Sequence, residues 1–206
     1  MAARPIDRRK ILKLLAAGSL APLLPGLAHA AGEVLSREAV LFDEDIPVLG
    51  NAKGDVTMVE YFDYQCPYCK KSHPEVKRLV AEDGGIRLVM KDWPIFGPFS
   101  ARAAQLTLAA GDDYEKAQDA LMAAKGKLSN ARIDEILSRA GLDPEKLADA
   151  YRRDKGRIDE ILARNSAQAE AFGLMGTPAY VVGTTLYPGV LEYADLKEAV
   201  AKARKD

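Results

Sequence analysis

Cysteine is almost missing from this 206-residue chain, which has two, Cys66 and Cys69. Two cysteines exclude a framework of structural disulfides. A lone bridge between them would close a four-residue loop worth only about 2 kcal/mol. The second pair that a four-cysteine zinc site requires is absent. Haem attachment needs a histidine directly after the second cysteine, and Lys70 stands there. Long apolar runs are missing too. The stretch from Leu14 to Leu27 is interrupted by Gly18, Pro22, Pro25 and Gly26 and is short for a membrane span. Nor is there a basic stripe interleaved with aromatic residues, which argues against nucleic-acid binding. A chain of this length with 48% hydrophobic residues suffices for one well-packed domain with room for a subdomain.

The first thirty residues read as a targeting segment. Arg4, Arg8, Arg9, Lys10 and Lys13 form a basic region, the short apolar stretch follows, and Ala28-His29-Ala30 is a small-x-small cleavage site. Residues 1–30 are therefore expected to be a signal peptide cleaved after Ala30, with a retained membrane anchor as the alternative. Arg8-Arg9-Lys10-Ile11-Leu12-Lys13 resembles a twin-arginine export signal. A Sec signal that happens to carry paired arginines is the other reading. Either route places the mature protein in the periplasm. The segment holds five of the 29 basic residues and one of the 30 acids, so the remainder carries 24 and 29, a net of −5. That balance disfavours adhesion to an anionic membrane.

In the mature chain, residues 31–55 read as a lead-in. Ala39 to Phe42 fits a short strand, Asp43-Glu44-Asp45 a solvated loop, and Gly50-Asn51 a turn. Val56 to Phe62 is a β-branched and aromatic run with the character of a buried strand. Val76, Leu79 and Val80 then recur at helical spacing until Gly84-Gly85. Ile86 to Met90 is a second strand, so the two strands are expected to be parallel across a βαβ crossover. Residues 93–98 contain two prolines and a glycine and cannot be regular. From Phe99 to Gly173 strand signals vanish and helical periods take over, with Asp143-Pro144 opening one helix. After Gly176-Thr177-Pro178 come a strand at 179–182, a tight turn at Gly183-Thr184, a returning strand, and a last helix through Tyr193, Leu196, Val200 and Ala203. The order is β-α-β, helices, β-β-α.

The chemistry concentrates at Cys66-Pro67-Tyr68-Cys69, where a strand hands over to a helix. At a helix N-terminus the free N–H groups and the dipole favour negative charge, so the Cys66 thiolate is expected to be stabilised. Cys69, one turn on, is placed to close a disulfide with it and release whatever Cys66 has captured. A competing reading has Cys66, Cys69 and His73, at i+4 from Cys69, hold one soft metal ion in a metal-handling module. Otherwise His73 is expected to be a partly exposed helix residue. Glu60, on the apolar strand before the motif, reads as a buried carboxylate with a raised pKa that shuttles the Cys69 proton, or as an outward-facing strand residue. No cofactor is implied.

This order, with a Cys-x-x-Cys at the first helix and helices inserted between the halves, resembles the DsbA-like branch of the thioredoxin superfamily. The nearest texture is Phe62-Asp63-Tyr64-Gln65-Cys66-Pro67-Tyr68-Cys69-Lys70, a Cys-Pro-Tyr-Cys subgroup. Glu60 matches the family's buried acid, Pro74 the proline that kinks the active-site helix, and Thr177-Pro178 the loop whose cis proline faces the cysteines. The resemblance implies an α/β thioredoxin-like fold built from 56–98 and 174–206, with 99–173 as a helical subdomain inserted between the halves. It implies an exported thiol:disulfide oxidoreductase that forms, reduces or reshuffles bridges in cysteine-containing unfolded or misfolded proteins, reset by a membrane redox partner. Cys66, Cys69 and Glu60 would be catalytic, and Pro67, Tyr68, Thr177 and Pro178 would meet substrate. Tyr68 offers the thiolate no positive charge, which predicts a weaker oxidant than members with Pro-His. Threonine before the cis proline is frequent in isomerase and reductase branches, whereas the strongest oxidases more often carry valine. Isomerases usually oligomerise. The lead-in lacks sustained heptads, so a monomer is expected.

Overall fold

A computed structural model describes residues 34–205; the expected signal peptide lies outside the described residues. The core is a five-stranded sheet in the order β1-β3-β2-β4-β5. Its strands are β1 (Val48–Gly50), β2 (Val56–Phe62), β3 (Ile86–Asp92), β4 (Ala179–Val182) and β5 (Thr185–Pro188). β2 and β3 are parallel, and the other neighbours are antiparallel. Every residue of β2 except Thr57 is buried, which is why the run shows no alternation: helices cover both faces. On one face lie α2 (Pro67–Asp83) and the last helix, α8 (Tyr193–Ala203). On the other, Tyr61 donates to Gln168 Oε1 at 2.8 Å and meets Phe172 edge-on at the end of α7 (Lys155–Ala171).

Between β3 and α7 run α3 (Pro98–Leu108), α4 (Tyr114–Ala123), α5 (Asn130–Arg139) and α6 (Pro144–Arg153). Their ends follow local chemistry. Ser129 accepts from the Arg132 N–H, and Asp143 accepts from the N–H groups of Glu145 and Lys146. Pro98 and Pro144 sit at first helical positions, where a missing N–H costs nothing. The end of β3 is fastened to these helices. Tyr114 donates to Asp92 Oδ2 at 2.8 Å, and the Asn165 amide donates to the Asp92 carbonyl at 3.0 Å.

Three readings of the lead-in need correction. Residues Arg37–Leu41 are a helix, α1, rather than a strand; Ser36 caps it by accepting from Ala39. The helix is too short to hold itself together. Its carbonyls are met from afar: Lys91 Nζ and Gln168 Nε2 donate to Ala39 O at 3.1 and 2.9 Å, and Arg87 donates to Leu41 O at 2.5 Å. Gly50 belongs to edge strand β1, which pairs with β3 before the chain turns. The Asp43-Glu44-Asp45 loop is solvated at Glu44 and Asp45 but tied down, because Asp43 and Asp45 both bind the Arg164 guanidinium, at 3.2 and 2.8 Å.

Gln168 holds Tyr61 and Ala39 together inside the protein. Gln168→Leu leaves the buried Tyr61 hydroxyl without an acceptor and Ala39 O with Lys91 alone, and is expected to destabilise the fold by about 1–3 kcal/mol, read as a fall in urea midpoint with unchanged slope.

Candidate active site

β2 ends at Phe62, and the next four residues carry the chain from the sheet to the start of α2. Cys66 is itself the N-cap: its φ and ψ are −70° and 116°, and its sulfur accepts from the Cys69 N–H at 3.3 Å. Pro67 follows at the first helical position. Gly84, in the left-handed region at φ 67°, closes the helix by donating to Val80 O. The helix passes unbroken through Pro74.

Cys66 and Cys69 are free thiols and both are buried. The Cys66 thiol is pushed down to about 6, chiefly by the hydrogen bond its sulfur receives from the Cys69 thiol. Backbone N–H groups at the helix start add to this, and burial opposes it. Cys69 moves the other way: burial raises it, and so do its role as donor to Cys66 and the charge of Glu60. One sulfur is an anion near neutral pH and its neighbour keeps its proton.

Glu60 points into the same interior as the cysteines. It is fully buried, and neither carboxyl oxygen has a hydrogen-bond partner among the described residues. Burial first, then the Cys66 charge, push it up to about 8. Tyr180 pairs with Glu60 in register across β2 and β4, and its hydroxyl donates to Ser72 Oγ of α2. From the far side of the site, the Thr177 carbonyl lies 3.2 Å from the Cys66 sulfur, and the Thr177–Pro178 peptide bond is cis. Tyr68 is exposed beside the motif. The structure thus brings together Glu60, Cys66, Cys69, Thr177 and Pro178, with Pro67 and Tyr68 at the rim.

His73 departs from expectation. It is buried rather than partly exposed, and its Nε2 lies 2.8 Å from Asp119 on α4. The imidazole is turned to the inserted helices, so the Cys66–Cys69–His73 trio is not assembled. Among the described residues, no group of three or more His, Cys, Asp or Glu side chains is placed to hold a metal ion.

Asp63, three residues before Cys66, is a functional residue that the sequence pattern alone leaves without a role. Its buried carboxylate accepts from the Gln65 N–H at 2.6 Å, the Ile95 and Phe96 N–H groups at 2.7 and 3.0 Å, and Ser100 Oγ at 2.7 Å. It therefore joins the loop before Cys66 to the proline-rich segment and to α3. The local signal was an acid two residues before a backbone N–H in a turn, an Asx pattern. The longer-range partners had none.

Absorbance of the reduced protein near 240 nm is expected to show a thiolate titrating near pH 6 that disappears in Cys66→Ser. The folded pKa lies below the unfolded thiol value of about 8.5, so the stability it confers is fully present above that value and is lost as pH falls through 6. Reduced protein should therefore gain stability over Cys66→Ser between these limits, by about 3 kcal/mol in urea titrations.

A family model described as Thioredoxin matches residues 43–202. A thioredoxin-like oxidoreductase from Silicibacter pomeroyi DSS-3 is 40% identical with a TM-score of 0.79, covering 83% of this chain and 99% of that one. The thiol-disulfide exchange protein alpha-DsbA2 of Wolbachia pipientis is 28% identical with a TM-score of 0.75, covering 84% and 96%. The Na(+)/H(+) antiporter NhaA 1 of Salinispora arenicola is 29% identical over 160 residues, 76% of this chain and 24% of that protein. The chain thus spans about a quarter of the length of the antiporters it matches. With a matching family model over most of its length, the βαβ–helices–ββα order and a cysteine pair at the head of the helix that follows β2, this chain belongs to the thioredoxin superfamily, in its DsbA-like thiol:disulfide oxidoreductase branch.

Proposed function

We propose that the protein is an exported thiol:disulfide oxidoreductase that acts in the periplasm on cysteines of unfolded or misfolded proteins. The observation that carries this reading is the placing of the two sulfurs: Cys66 Sγ caps the head of α2 by accepting from the Cys69 N–H, and Cys69 lies buried behind it, which lowers the pKa of the first and raises that of the second. The basic n-region, Ala28-His29-Ala30 and the paired arginines support export.

In the oxidised protein a substrate thiolate attacks Cys66 Sγ. The Cys66–Cys69 bond breaks, and Cys69 leaves with the electron pair and takes up a proton. A second substrate thiolate attacks the substrate sulfur of the mixed disulfide, Cys66 leaves as a thiolate, and the substrate departs with its new bridge. Two electrons remain on the protein as the dithiol. A membrane redox partner that accepts them restores the disulfide. Run in reverse, the same steps open or reshuffle a wrong bridge. Because the Cys66 thiolate is stabilised, the dithiol is the favoured state and the disulfide is the oxidant.

Glu60 supplies and removes the Cys69 proton. It is buried with no hydrogen-bond partner among the described residues, and its pKa near 8 keeps it protonated at neutral pH. Thr177 and Pro178 face the attacked sulfur, and the Thr177 backbone would pair with an extended substrate segment in the manner of an added strand. Pro67 fixes the turn into α2. Tyr68 is exposed and uncharged toward the thiolate, so substrate meets its ring.

Insulin reduction and the oxidation of reduced ribonuclease test the reading: Cys66→Ser is expected to abolish both, and unchanged turnover in that variant would overturn it. In Glu60→Gln, attack of Cys69 on a preformed mixed disulfide should slow by about a hundredfold, and the rise in rate through pH 8 should vanish. Equilibration with glutathione is expected to give a potential less oxidising than in family members with Pro-His between the cysteines.

A further inference from the structure

Beside the cysteine pair, between the start of α2 and the end of α4, lies an open groove of about 650 Å³. Gln65 and Pro67, the neighbours of Cys66, line one side, and the chain from Met122 to Lys127 lines the other. Four lysines surround it: Lys70, Lys71, Lys125 and Lys127. Between them the lining is apolar, with Pro67, Pro74 and Met122. Such a concentration of one sign is unexpected in a chain whose residues 31–206 carry more acids than bases.

The far wall is held rigidly. Lys70 Nζ donates to the carbonyls of Leu121 and Ala124 at 3.1 and 2.6 Å, closing the end of α4. Gln65 accepts from the Leu128 N–H at 3.1 Å and donates to Phe96 O at 2.9 Å. The 122–127 segment is thus stapled at both ends to the residues that flank the cysteines. Lys125 and Lys127 are exposed and have no ion-pair partner among the described residues. Lys71 has only a solvent-exposed contact to Glu192 at 3.4 Å, which holds it weakly.

We infer that this groove binds the segment flanking the reactive cysteine of an acidic polypeptide, its Asp or Glu side chains meeting Lys71, Lys125 and Lys127 and its apolar side chains resting on Pro67, Pro74 and Met122. The inference rests on the oxidoreductase reading and adds a substrate preference to it. The lysines act before and during encounter, raising the local concentration of acidic thiols at Cys66. The backbone that carries Lys125 and Lys127 is fixed by contacts made within the protein, so only their side chains need ordering when a substrate arrives.

The test uses oxidised protein and three single-cysteine peptides that differ only in the flanking residues, which are Glu, Gln or Lys. Rates of mixed-disulfide formation, corrected for each peptide's thiolate fraction, are read by acid quench and mass spectrometry. At low ionic strength the Glu-flanked peptide should react about tenfold faster than the Lys-flanked one, and the ratio should approach one in high salt. In K125E/K127E the ratio should invert. The same ratio in wild type and K125E/K127E overturns the inference while the Gln-flanked peptide still reports exchange. Failure of the Gln-flanked peptide to react with wild-type protein overturns the oxidoreductase reading, and the substrate preference falls with it.

Discussion

A sulfur atom caps the helix that it starts. Most N-caps are oxygens whose only task is to satisfy a free N–H. Here the cap is Cys66, and accepting from Cys69 both begins α2 and steadies the charge that makes the sulfur reactive. Much of the remaining architecture keeps this arrangement in place. β2 delivers the chain to the cap, Pro67 sets the first helical dihedral, and Thr177 closes over the sulfur from β4's approach. Helix formation and chemistry share this backbone hydrogen bond, which adds to the larger effect of the Cys69 thiol on the same sulfur.

Behind that bond stands a column of buried acids with different tasks. Asp63 is saturated by four donors and acts as a tie between segments. Glu60 has no hydrogen-bond partner among the described residues and carries the penalty of burial, which a carboxyl group answers by staying protonated. Asp92, pushed up to about 7 by burial, is met by the Tyr114 hydroxyl where the sheet joins the inserted helices. Three acids on or just after the neighbouring strands β2 and β3 differ through their surroundings, not through their side chains.

The βαβ–helices–ββα order was legible because its signals are local. Val56 to Phe62 is uniformly apolar apart from Thr57 and Glu60, Asp143-Pro144 is a cap followed by a first-turn proline, and Gly84 adopts a left-handed conformation that favours glycine. The cysteine pair and its helix-start position were legible for the same reason. What escaped depends on distant partners. Ala39 to Phe42 has strand-like composition, and Arg87, Lys91 and Gln168, brought in by the sheet and α7, join the Ser36 cap in holding Arg37–Leu41 as a helix. His73 looked like a residue on an open helix face because Asp119 lies 46 positions away in the chain. The lysine groove likewise joins residues 70–71 to 125–127 through a fold that no local pattern spells out.

Lys91 is completely buried, its ammonium resting between Ala39 O and Asp43, and burial lowers its pKa to about 8. Both acceptors come from the segment that precedes β1. The similarity to the family starts at residue 43, yet a polypeptide trimmed to that boundary would strand a cation in the interior with half its acceptors gone. The unit that folds is therefore longer at its N-terminal side than the unit inherited as a recognisable domain, and the short helix ahead of the sheet works as the stopper that seals it.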